Sequence, residues 1–160
     1  MTVPFNAPPA SEGTTPAKQI AALCWRLQKG ALQVLLISSR DTGRWVSPKG
    51  WPLDGLDPSA AASREAWEEA GVEGPVADVE LGAFGYEKQL KTASVACSVT
   101  VFALQVQRLA VRFPEHKQRL RRWVAPDEAA KLVIEPGLQA LFGHIAQNPG
   151  LIARSAPTAP

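Results

Sequence analysis

The stretch Ser63-Arg64-Glu65-Ala66-Trp67-Glu68-Glu69-Ala70-Gly71-Val72 decides how the chain is read. Residues three and four apart are neighbours on a helix, so Glu65, Glu68 and Glu69 share one face. Like charges at that spacing cost an isolated helix roughly a few tenths of a kcal/mol per pair. They also stand toward the C-terminal end, where the helix dipole disfavours negative charge. One cation, Arg64, lies beside three anions, which makes a divalent metal the natural counter-charge. An oxygen-only donor set suits Mg²⁺ or Mn²⁺ better than Zn²⁺, and hard ions of this kind serve phosphate chemistry.

Working outward, Asp57 offers an N-cap, Pro58 suits the first helical position and Gly71 supplies a stop, which predicts a helix over Pro58 to Ala70. Gln19 to Leu27 and Leu32 to Ser38 are apolar, β-leaning runs on either side of Gln28-Lys29-Gly30, the pattern of a hairpin. Trp45 and Val46 are a third extended piece. Val79 to Leu90 and Ser94 to Gln107 read as two long strands joined near Lys91-Thr92. Pro126 opens a second helix to about Val133, and Pro136 a third to about Ala146. Strands, a central helix, more strands and then helices predict an α/β fold, a mixed sheet sandwiched between helices.

With 46% hydrophobic and 20% charged residues, the 160-residue chain has the composition of one globular domain. A net charge of +2 argues against a nonspecific nucleic-acid or membrane-surface binder. No apolar run approaches the ~18 residues of a spanning helix, so a soluble, unexported protein is expected. Cys24 and Cys97 sit in apolar segments and read as buried thiols of a reducing compartment, the cytoplasm. Residues 1 to 16 hold four of the fourteen prolines with little apolar pattern, and residues 148 to 160 have the same character. They read as a flexible leader and tail around a folded domain of residues 17 to 147.

The helix is introduced by Ser47-Pro48-Lys49-Gly50, a short loop whose backbone can approach a ligand. From Gly50 to Val72 the chain resembles the signature of the Nudix hydrolases: Gly, five residues, Glu, seven residues, then Arg-Glu-apolar-any-Glu-Glu-any-Gly-apolar. Gly50, Arg64, Glu65, Ala66, Glu68, Glu69, Gly71 and Val72 match position by position. Leu56 stands where the family has its first glutamate, a residue that chiefly pairs with the arginine. Asp54 or Asp57 offers a substitute partner for Arg64.

The resemblance implies a Nudix-type α/β/α sandwich and a catalytic group of Arg64, Glu65, Glu68 and Glu69. The three glutamates, with the carbonyl of Gly50, would hold Mg²⁺ for cleavage of a phosphoanhydride bond. The general base would be Glu65, Glu69, or a glutamate outside the signature, for which Glu87 and Glu115 are the candidates. Ala21 to Trp25, Val34 to Arg40, Arg44-Trp45-Val46 and Arg121-Arg122-Trp123 extend the likeness over about residues 18 to 135. They resemble the branch of diphosphoinositol polyphosphate and diadenosine polyphosphate phosphohydrolases. That branch implies Lys18, Arg40, Lys49, Arg119 and Arg121 as substrate-binding positions; Trp51, by its place in the loop, is able to stack on a base or to serve structure.

Charge is compatible with this reading. Residues 108 to 122 carry six cations against Glu115, net +5, and residues 54 to 73 carry six acids against Arg64, net −5. A small polyanionic substrate arriving with Mg²⁺ fits an acidic nest facing a basic segment. The substrate is expected to be a nucleoside diphosphate derivative, a dinucleoside polyphosphate or a diphosphoinositol polyphosphate, acted on by a monomer or homodimer. Leu56 motivates the alternative of a catalytically weak Nudix-fold nucleotide-binding or sensor domain.

Overall fold

The computed structural model describes residues 5–6 and 15–154. The apolar runs flanking Gln28-Lys29-Gly30 form a hairpin of β2 (Ala17–Gln28) and β3 (Ala31–Ser38). Lys29 and Gly30 both have positive φ, 51° and 81°, the turn geometry whose twist matches that of paired strands. Before the hairpin lies β1 (Phe5–Asn6). After it come β4 (Trp45–Val46), β5 (Lys49–Gly50), α1 (Pro58–Ala70), β6 (Val72–Glu73), β7 (Gly82–Gln89) and β8 (Ser94–Gln105). The chain continues with β9 (Arg108–Leu109), β10 (Arg121–Val124), α2 (Pro126–Leu132), α3 (Pro136–Gln147) and α4 (Gly150–Arg154).

The main sheet runs β1-β7-β8-β2-β3-β10, with β4 on β3 and β5 on β2. It is mixed: β2 and β8 pair in parallel from Ala17 opposite Cys97 to Trp25 opposite Gln105, and β7 pairs with β8 antiparallel. β6 and β9 form a separate two-stranded ladder. Alternation along the strands gives the sheet two apolar faces. On one, Ala21, Leu23, Trp25, Val99 and Val101 pack with Leu138, Leu141, Phe142 and Ile145 of α3. On the other, Ile20, Ala22, Cys24, Leu35 and Ile37 pack with Ala61, Ala62, Ala66 and Ala70 of α1. This is the α/β/α sandwich expected from the sequence. No helix among the described residues is long and apolar enough to cross a membrane.

Two expectations at the ends are corrected. Phe5 and Asn6, assigned to a flexible leader, pair in parallel with Gly82 and Ala83; residues 1–4 and 7–14 lie outside the described residues. Gly150–Arg154, assigned to a loose tail, forms α4, and its Leu151 and Ile152 are buried in the α3 side of the core. Burying those two side chains offsets the entropy of ordering the segment. Residues 155–160 lie outside the described residues.

The bounds of α1 are those read from the sequence, with one difference of mechanism. Asp57 has the extended backbone of an N-cap, but its side chain makes no capping hydrogen bond, so Pro58 carries the start. At the other end Gly71 has φ 66° and donates its N–H to the carbonyls of Ala66 and Trp67. A Cβ there would lie 2.5 Å from Cδ1 of Phe113. Gly71→Ala is expected to lower unfolding free energy by about 1–3 kcal/mol, measured by chemical denaturation. Burial pushes the Cys24 thiol from its ordinary value of 9.0 up to about 12. Between those values the folded chain keeps a proton that the unfolded chain has released, so this group lowers stability as pH climbs through that window. Cys24 is therefore expected to resist iodoacetamide in the native protein at about pH 9 and to react on denaturation, as read by mass spectrometry.

Candidate active site

β5 pairs with β2, Gly50 opposite Ile20, and this lays the loop backbone against α1. The carboxyl group of Glu65 packs directly on Gly50, in the space that any Cβ at this position would occupy. The Lys49 N–H donates to Glu69 Oε1 at 3.2 Å. Glu65 and Glu69 flank the buried alanine stripe of α1 and are half-buried at the edge of the sheet. Glu68 stands farther out, 3.0 Å from Arg64 Nε. Arg64 thus finds its partner one turn along its own helix rather than at Asp54 or Asp57, and Leu56 is exposed.

A distant segment completes this edge. The Glu115 N–H donates to the Glu68 carbonyl at 3.0 Å, which docks residue 115 onto the signature helix. Arg119 donates through Nε and Nη2 to Glu115 Oε1 at 3.1 and 2.9 Å, and Nη2 lies 3.3 Å from Glu69 Oε2. Its Nη1 donates to the Ser38 carbonyl at 3.0 Å, and 7% of its side chain is exposed. Arg40 approaches Glu115 to 3.6 Å.

These groups open on a cleft of about 1320 Å³ that runs across the sheet edge from α1 toward the start of α3. Of the residues singled out from sequence, Gly50, Glu65, Glu69, Arg40, Lys49 and Arg119 line it. So do Glu87, Glu115 and the exposed Trp51, with Lys88 Nζ 5.3 Å from the Trp51 ring centre. Arg64 and Glu68 are adjacent but outside the lining. Lys18 and Arg121 depart from expectation. Lys18 is exposed on β2, and strand alternation turns it away from the cleft-lining Gln19. Arg121 donates Nη1 to the carbonyls of Ala70 and Ala110 at 3.0 and 2.9 Å and lies over the Phe113 ring. It satisfies the C-terminal end of α1, where a cation meets orphan carbonyls and the negative end of the dipole.

Burial dominates the electrostatics. It pushes the Glu69 carboxyl up to about 7, partly opposed by Arg119. It also raises Glu65, with the charges of Glu68 and Glu115 adding to the effect. The Lys49 ammonium is lowered by burial. Among the described residues, no three His, Cys, Asp or Glu side chains already converge on a point that holds a cation. Arg64 and Arg119 instead engage Glu68 and Glu69. The donor set nonetheless fits a hard dication in kind: all-oxygen, with Glu65, Glu69 and Gly50 lining the cleft and Glu68 adjacent to it.

Sequence reasoning missed the wall toward α3. Gln19 Oε1 accepts from the Tyr86 hydroxyl at 2.5 Å, and Arg44 Nη1 donates to Glu135 Oε1 at 2.8 Å. Arg44 and Glu135 are far apart in the chain, and no local pattern announces their pairing.

The chain is similar to several known proteins. Nudix hydrolase 12, mitochondrial, of Arabidopsis thaliana is 38% identical over 105 residues, covering 63% of this chain and 52% of that protein. Diphosphoinositol polyphosphate phosphohydrolase 3-alpha of Mus musculus is 32% identical over 118 residues, covering 72% of this chain and 68% of that protein. The chain spans 47% to 62% of the length of four Arabidopsis thaliana relatives. The fold is similar to that of a C. elegans Ap4A hydrolase binary complex, with TM-score 0.61, 19% identity, and coverage of 84% of this chain and 98% of that one. It is likewise similar to the E. coli dihydroneopterin triphosphate pyrophosphohydrolase, with TM-score 0.64, 18% identity, and coverage of 82% and 95%. The NUDIX domain model matches residues 17–142, and the chain belongs to that family.

Proposed function

We propose that the chain is a Mg²⁺-dependent pyrophosphohydrolase, with Mn²⁺ as a substitute ion. Its target is the phosphoanhydride bond of a nucleoside diphosphate derivative, a dinucleoside polyphosphate or a diphosphoinositol polyphosphate. The observation that carries this reading is the packing of β5 on α1, which sets Glu65 and Glu69 at the rim of a cleft whose walls also present Arg40, Lys49 and Arg119. Glu65, Glu68 and Glu69, with the Gly50 carbonyl, would hold the ion. When bound, it supplies charge neutralisation on the phosphoryl oxygens and a more acidic attacking water.

The chain's own groups divide the remaining work. Arg40 and Lys49 bind and orient phosphate oxygens from the cleft wall. Arg119 offsets the crowded carboxylates of Glu69 and Glu115 while presenting a guanidinium to the same space. Glu115 is favoured over Glu87 as the base that takes the proton from water, because its backbone N–H docks it on the Glu68 carbonyl of the signature helix. Arg64 orients Glu68.

Several cations of the basic segment are matched by the protein's own groups, Arg108 by Glu73 and Arg122 by Glu128 in exposed pairs and Arg121 by helix carbonyls. That supports a small-molecule substrate over a nucleic acid. Cys24 and Cys97 are free and buried, which supports a reducing compartment such as the cytoplasm.

Release of phosphate or nucleotide from a panel of phosphoanhydrides tests the assignment. Turnover is expected with Mg²⁺, to vanish with EDTA, and to return when the ion is restored. Glu68→Gln is expected to lower kcat/KM by about 100-fold or more. Undiminished turnover would remove Glu68 from the ion's donor set, and tight nucleotide binding with no turnover on any substrate would make the chain a sensor. Because Leu56 is exposed, Leu56→Glu is expected to leave the melting temperature unchanged or to stabilise by up to about 1 kcal/mol through Arg64. A large drop would place residue 56 in a packed role.

A further inference from the structure

The cleft wall beneath α3 has no part in the hydrolytic chemistry, yet it holds two buried side chains with unused hydrogen-bonding atoms. Glu135 is 5% exposed at the N-cap of α3 and makes no capping bond. Its Oε1 takes Arg44 Nη1 at 2.8 Å, while its Oε2 has no partner in the protein. Ser47, 4% exposed, has an Oγ in the same condition. Both residues line the cleft. Buried polar atoms are seldom left unmatched, because desolvation is then uncompensated. Two in one cleft wall point to a ligand group that completes them.

The surroundings restrict its chemistry. A carboxylate oxygen accepts, so the partner must be an N–H or O–H donor. Ile134, 61% exposed, and Pro136 and Ala140, one helical turn apart, line the cleft beside Glu135 and provide apolar contact for a ring face. Six carboxylates stand against five cations around the cleft. Arg44 is already paired with Glu135, and Arg119 with Glu69 and Glu115. A ring phosphorylated at every position would bring more negative charge to this wall than the remaining cations offset.

We propose that Glu135, held by Arg44, is the specificity-determining residue of this cleft. Its second oxygen accepts a hydrogen bond from an uncharged donor on the nucleoside part of the substrate. The Ser47 hydroxyl, unmatched in the lining of the same cleft, supplies a second bond. The inference rests on the phosphoanhydride reading for the bond that is cut, but not for which molecules bind. It selects nucleotides over diphosphoinositol polyphosphates among the substrates proposed above.

Calorimetric titration with Mg²⁺ and two non-hydrolysable probes, α,β-methylene-ADP and inositol hexakisphosphate, tests it. The wild-type chain is expected to bind the nucleotide analogue at least about tenfold more tightly. The near-isosteric Glu135→Gln keeps an acceptor for Arg44 and is expected to weaken the nucleotide by about fivefold or more at unchanged melting temperature. Glu135→Lys is expected to improve inositol hexakisphosphate by about tenfold. Tighter wild-type binding of inositol hexakisphosphate, or a nucleotide affinity indifferent to Glu135→Gln, overturns the proposal. The 2′,3′-dideoxy analogue separates a base amine from a ribose hydroxyl as the donor, and either supports it. Absent turnover with these affinities intact removes the hydrolase reading alone, whereas turnover of nucleotides indifferent to Glu135→Gln removes this inference alone.

Discussion

The close approach of the Gly50 backbone to α1 is the contact on which the candidate site depends. It brings a short strand within reach of Glu65 and lets the Lys49 amide hold Glu69, so that two carboxylates of one helix are fixed at the edge of the sheet. The alanines beneath them make this possible. Ala62, Ala66 and Ala70 carry little bulk, and the helix can sit low on the strands and carry its acidic flank to the cleft. The electrostatic consequence is unfavourable in isolation, since burial disfavours ionised Glu65 and Glu69. Arg119, itself almost enclosed, supplies the compensating charge.

Much of this scaffold was legible because its signals are local. Pro58 and Gly71 mark the ends of α1 by backbone conformation alone, and the same holds for Lys29-Gly30 between β2 and β3. The carboxylate face follows from helical periodicity. Uses of charge decided by tertiary contact were less legible. Arg119 and Arg121 are two residues apart and look equivalent in sequence, yet one enters the cleft and the other meets the carbonyls at the end of α1. Asp57 reads as a capping side chain but contributes only backbone geometry. Leu151 and Ile152 lie in a segment whose composition suggests a tail, and only the partly formed core reveals a place for them. The Arg44–Glu135 pair joins a loop to a helix start across the molecule, a relation no local pattern carries.

Four cations between Arg108 and Arg122 are matched by groups of the protein, Arg119 and Arg121 in part-buried contacts and Arg108 and Arg122 in exposed pairs. Arg119 meets Glu69 and Glu115, and Arg121 meets the carbonyl end of α1, which ties the connection between β9 and β10 to that helix. The docking of the Glu115 amide on Glu68 adds a backbone link to the same junction. The acidic and basic stretches apparent in the sequence therefore meet through the Arg108–Glu73 and Arg119–Glu69 pairs.

The parallel pairing of β2 with β8 carries a consequence for how the chain is made. Its partners are separated by about 80 residues, Ala17 lying opposite Cys97, so the middle of the sheet closes only after β8 has been synthesised. Long-range pairing of this kind must bear the entropy of a large closed loop before its contacts repay it. During translation the hairpin and α1 emerge first, and the apolar edge of β2 waits for its neighbour. The ribosome thus delivers the acidic helix after the β2, β3 and β5 strands it packs on, and before β8 completes that face of the sheet.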